Sequence, residues 1–205
     1  MPWPAYIVAK SSRLLDTEPV KNKFYGLYDG ILNECFPTTH FMITPHYTTP
    51  GAQSEGSAAI EFVITFVVES MDLQSPVFFF EIEAPTYLPS ITARKNAEKQ
   101  VRKRIEQLAN LVQIPKLYGV SAMGRQLSYY TYEKATRRIE PAALEESAFS
   151  IVDTAPIERW DTNIMEEEGR AKFLAVVEEI KQMVAGTCLC ILFVQPFPYT
   201  ILEAL

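Results

Sequence analysis

Between Asp16 and Pro37 the apolar residues Phe24, Leu27, Ile31 and Cys35 recur at three- and four-residue steps, the spacing of one helix face. Asp16 and Thr17 offer caps, Pro19 falls in the first turn and Pro37 blocks continuation, so the pattern predicts a helix over 18–35. The chain then switches to runs of β-branched and aromatic residues. Residues 41–47 read as a short strand and 48–57, rich in Thr, Gly, Ser and Pro, as a loop. A long strand follows over 58–70 and a third over 77–83, with 71–76 turning the chain between them. These two strands are expected to form a hairpin. Their almost unbroken apolar character implies a sheet covered on both faces.

A second helix is expected over 90–112. Ser90 or Thr92 caps it, and Ala97, Val101, Ile105, Leu108 and Val112 form its apolar stripe. Strands over 117–123 and 126–132 follow, joined at Gly124. A helix between the third and fourth strands is a crossover, the connection that parallel strands need. Beyond Thr136 the pattern loosens. A helical turn over 142–146, the punctuated run DTAPIERW over 153–160, and a last helix over 163–184 read as a wrap around the core. The apolar stretch 187–205, interrupted by Gln195, Pro196, Pro198 and Glu203, reads as a buried strand with a trailing tail rather than a membrane span. The expectation is a single α/β domain over 1–205 with a mixed central sheet flanked by helices. Its core spans 18–136, and 137–205 forms the C-terminal helical wrap and apolar tail.

Composition narrows the function classes. The chain has 205 residues, 48% hydrophobic and 21% charged, which excludes a disordered polyelectrolyte. A net charge of −6 means that nucleic acid can be bound only through a local basic patch. Cys35, Cys188 and Cys190 are odd in number and lack the spacing of a disulfide framework or zinc site. With no basic-then-apolar run in MPWPAYIVAK, this points to an intracellular protein, cytoplasmic or nuclear, without a membrane partner. His40 and His46 have no ligand spacing.

Candidate chemistry centres on three carboxylates. Glu61 falls early in the long strand, and Glu81 and Glu83 fall at the end of the next, in FFFEIEAP. Glu81 and Glu83 are two apart and so share a face of the sheet, and antiparallel pairing brings Glu61 toward them. Buried carboxylates need a counter-charge. A magnesium or manganese ion, Mg2+ or Mn2+, suits oxygen ligands. The alternative is three solvated strand-end glutamates paired with Arg94 or Arg104.

A basic run on the following helix holds Arg94, Lys95, Lys99, Arg102, Lys103 and Arg104 against one acid, Glu98. Lys95, Lys99, Arg102 and Lys103 are expected on its outer face, where a nucleic-acid backbone would meet them. The alternative is an ordinary solvated face carrying a Glu98–Arg102 pair. Tyr129, Tyr130 and Tyr132 read as core and rim packing rather than a base-stacking platform, and Ser121 does not lie in a nucleophile elbow.

An acid on one strand, an acid-x-acid pair on the next and a crossover helix bearing Gln100 resemble the PD-(D/E)XK (restriction-endonuclease-like) nuclease superfamily. The spacing between Glu61 and Glu81 is 81 − 61 = 20 residues. The segments FEIEAP, ITARKNAEKQVRKR, PKLYGVSAMGRQLSYY and DTAPIERW are also similar to a group of proteins of mushroom-forming fungi with no assigned activity, over roughly 58–185. The superfamily resemblance implies metal-dependent phosphodiester hydrolysis. Glu61 and Glu81 would hold the ion, Glu83 would act as ligand or general base, and Gln100 would orient water. Arg94, Lys99, Arg102 and Arg104 would meet phosphate. The chain departs from that pattern twice: Ile60-Glu61 stands for Pro-Asp, and Glu83 stands for the motif lysine. The departures leave a second expectation: a nuclease-fold module without catalysis that binds nucleic acid or a protein.

Overall fold

The computed structural model describes residues 2–45, 64–145 and 152–194. Over these residues the chain folds as an α/β protein with an open, mixed, seven-stranded sheet and four α-helices. The helices are α1 (Ala5–Ser11), α2 (Tyr25–Cys35), α3 (Ile91–Leu108) and α4 (Glu167–Val194). The strands are β1 (Phe41–Pro45), β2 (Ile64–Ser70), β3 (Ser75–Glu83), β4 (Lys116–Met123), β5 (Gln126–Glu133), β6 (Arg138–Glu140) and β7 (Thr162–Asn163). Their spatial order is β1-β2-β3-β4-β5-β6, with β7 also on β5. Among the described strands only β3 and β4, the pair joined through α3, run parallel, and the other pairings are antiparallel.

All nine residues of β3 are buried, as its apolar run requires of a central strand covered on both sides. Strand alternation sorts them. Phe78 and Phe80 face α2 and α4, where they meet Phe36, Tyr28 and Phe173 at ring-centroid distances of 4.4–6.3 Å. Phe79, Glu81 and Glu83 take the opposite face, under α3. Gly119 on β4 makes room there: a Cβ would lie 2.2 Å from the Phe79 ring. Ala97, Val101, Ile105 and Leu108 supply the buried stripe of α3, and Ser90 caps it by accepting from the Ala93 N–H.

Several expectations are corrected. The first long helix begins as a 3-10 turn at Lys21–Phe24 and becomes α-helical only at Tyr25. The segment before it is held in another shape by Arg125, which donates to the carbonyls of Ser11 and Leu14 and pairs with Asp16. Helix α1 was not foreseen. It is anchored by buried Ile7 and by Trp3, whose indole N–H reaches the Ile164 carbonyl at 2.8 Å. No helix forms over 142–145. Helix α4 runs on through Thr187–Val194, where a strand was expected. A strand needs a sheet edge beside it, whereas helical hydrogen bonds are internal to the segment. No proline interrupts this segment before Pro196. Of the expected 58–70 strand, 58–63 lies outside the described residues, as do Glu146 and the tail 195–205. No helix among the described residues is long and apolar enough to cross a membrane.

Candidate functional site

The site lies where β3 ends and α3 begins. Glu81 pairs across the sheet with Thr65 on β2 and Ser121 on β4, and Ser121 pairs with Ser128 on β5. The result is a buried polar row beneath α3. Glu81 is 4% exposed. Its Oε1 lies 3.6 Å from Arg104 Nε, and Arg104 also reaches the Thr65 hydroxyl at 3.5 Å and the Gln107 Oε1 at 3.1 Å. Burial pushes the Glu81 carboxyl up to about 7, against the opposing pull of Arg104 and with a further push from Glu83.

Because the folded-state value lies above the unfolded one, the native state holds more protons between about pH 4.5 and 7. Stability from this group is therefore full below that window and declines as pH rises through it, by about 3 kcal/mol in all. Glu81→Gln, which mimics the protonated carboxyl, is expected to flatten that decline and to raise the melting temperature at pH 8. Thermal unfolding between pH 5 and 8 checks this; a variant with the wild-type slope would refute the assignment.

Glu83, one step along the same face, is buried and meets Lys21 Nζ at 3.3 Å. Lys21 comes from the 3-10 turn before α2, some 60 residues away in sequence (83 − 21 = 62). Nothing local in the sequence marks it. The site therefore has a lysine beside Glu83, although none was expected there. Lys21, Glu83 and Gln100 line a single cleft of about 330 Å³, completed by Tyr87 and by Asn96 on α3. Gln100 thus shares the cleft with Glu83 at the acidic end of the sheet. Glu61 lies outside the described residues.

The basic helix is less of a ridge than its sequence implied. Arg94 is 3% exposed and is spent on structure, donating to the carbonyls of Ala155 and Leu88 and pairing with Asp153. Arg102 turns inward to Glu98 at 2.6 Å, to the Pro141 carbonyl, and to the face of Tyr130. Arg104 is occupied with Glu81. Only Lys95, Lys99 and Lys103 remain on the outer side. The reason is the wrap: residues 152–160 fold back along one flank of α3 and recruit Arg94 and Glu98 as anchors. Tyr130 and Tyr132 are buried in the core, and Tyr129 packs at the rim under Lys172.

A divalent ion does not fit the described donors as they stand. Each carboxylate already has a cation 3.3–3.6 Å away, and an ion bound at about 2.1 Å would sit against both. Among the described residues no group of three or more His, Cys, Asp or Glu side chains is placed to hold a metal. No family model matches the chain, and neither a curated protein nor a solved structure is significantly similar to it.

Proposed function

We propose that this chain is a nuclease-like domain of the PD-(D/E)XK kind that holds a nucleic-acid strand at the Glu83 cleft and hydrolyses it weakly or not at all. The element order supports the nuclease-like part: a helix, three antiparallel strands, a crossover helix, and a fourth strand parallel to the third. The observation that carries the loss of catalysis is the pairing of Glu81 with Arg104 and of Glu83 with Lys21. Two side-chain cations stand where a hydrolase of this kind takes positive charge from its metal: Lys21 balances Glu83, while burial outweighs Arg104 and favours the protonated form of Glu81. Lys21 is the cleft's phosphate-binding group, with Lys95 and Lys99 one position from Asn96 and Gln100 on the outer turn of α3.

The test is binding of a labelled oligonucleotide by fluorescence anisotropy at several salt concentrations, in chelator and in millimolar magnesium or manganese. Lys21→Ala is expected to weaken binding about tenfold and to lower the salt slope by about one released counterion. Lys21→Arg should restore most of both. The metals should leave affinity and melting temperature almost unchanged. Metal-dependent cleavage that is lost in Glu83→Gln would instead establish the hydrolase. Failure to bind any oligonucleotide would overturn the proposal.

A further inference from the structure

Glu83, Lys21 and Gln100 do not by themselves explain the shape of the cleft or the residue at its mouth. Tyr87 is 46% exposed, yet it does not stand on a loose loop. It ends the 3-10 turn Pro85–Tyr87, closed by hydrogen bonds from the Tyr87 N–H to the Ala84 carbonyl and from the Leu88 N–H to the Pro85 carbonyl. Pro85 and Pro89 stiffen it on either side, and the Pro85 ring packs against Gly124, where a Cβ would come within 2.5 Å. The backbone that carries this aromatic ring is thus already ordered before any ligand binds. Asn96 and Gln100, four apart on one face of α3, also line the cleft and carry amides, the groups that pair with base edges. Lys21, held by Glu83 at 3.3 Å, brings an ammonium group with a further N–H that can donate to a phosphate oxygen. The volume of about 330 Å³ is at the small end for ligand pockets and suits one nucleotide rather than a helix of them.

We infer that the cleft takes a single unpaired nucleotide, with its base stacked on Tyr87, its edge met by Asn96 and Gln100, and its phosphate on Lys21. This rests on the nucleic-acid-binding reading above and adds the class of ligand. In a duplex the base faces are stacked and the pairing edges are occupied, so they reach such a pocket only if the base leaves the stack. Single strands and free nucleotides present both.

Anisotropy with a labelled single-stranded oligonucleotide and with its blunt duplex tests the inference, with adenosine monophosphate as competitor. The single strand is expected to bind at least about tenfold more tightly than the duplex. Tyr87→Ala should lose about tenfold on the single strand, the range of one base–aromatic stack, and nothing on the duplex. Tyr87→Trp should retain the preference and so separate stacking from a folding defect. Displacement by the mononucleotide would assign the cleft to free nucleotides as well; a strand held against excess mononucleotide would assign it to a nucleotide within a chain. Equal affinity for both forms, or equal loss from both in Tyr87→Ala, overturns the inference while leaving the wider proposal intact. Absence of binding to either form in the wild type removes both.

Discussion

Glu98→Ala is expected to lower the melting temperature by about 6–12 °C, which for a chain of this length corresponds to about 3 kcal/mol. Glu98 is buried on the flank of α3 away from the cleft. One carboxylate oxygen accepts from Arg102 at 2.6 and 2.8 Å, and the other pairs with Arg159. The two arginines in turn donate to the carbonyls of Pro141 and Ala142. Removing the carboxylate leaves two largely buried guanidinium groups without their counter-charge, and that penalty outweighs the modest net value of the intact pair. Lys103→Ala, on the exposed side of the same helix, should change stability by no more than about 0.5 kcal/mol. The loss should also reach the cleft. The wrap fixes how α3 sits on the sheet, and Gln100 and Arg104 ride on that helix. Oligonucleotide affinity in Glu98→Ala should therefore fall at temperatures where the variant is still folded. A melting temperature equal to that of wild type would mean that the wrap is only decoration.

Gly169→Ala is expected to cost about 3 kcal/mol, from steric conflict rather than charge. A Cβ at position 169 would lie 1.9 Å from the Asn163 carbonyl oxygen and 2.6 Å from its carbon, both backbone atoms that no rotamer change can move. Gly169 sits in the first turn of α4, immediately after β7. The close approach lets the chain turn from β7 into the helix while Asn163 still pairs with Gln126 on β5. Relief requires β7 to leave the sheet or the start of α4 to lift. Either movement disturbs Ile164, whose carbonyl accepts from Trp3. Gly186→Ala is the matched control, since a Cβ there meets nothing within 4 Å and alanine favours the helix. That control should be neutral or stabilising. Urea unfolding of both variants checks the pair, and similar midpoints would refute the steric argument.

The order of the elements was legible in the sequence because period is a local property. Apolar steps of three and four marked α2 and α3, and the unbroken Phe-Ile run marked β3 as a strand buried on both sides. Strand parity placed Glu81 and Glu83 on one face. Tertiary contacts decided everything that depended on a partner distant in the chain. Lys21 reaches Glu83 only because the turn before α2 is folded beside the end of β3, and no spacing rule connects positions 21 and 83. Of the outer ridge expected from Lys95, Lys99, Arg102 and Lys103, Arg102 instead forms the alternative pair with Glu98, and Arg104 pairs with Glu81, as the alternative for the glutamates had it. The returning segment at Asp153–Trp160 took Arg94, Glu98 and the Pro141 carbonyl took Arg102, and the buried Glu81 took Arg104. The last turns of α4 were misread because an apolar run of that length satisfies both strand and helix. Only the presence or absence of a neighbouring sheet edge separates the two, and that edge is a property of the folded molecule.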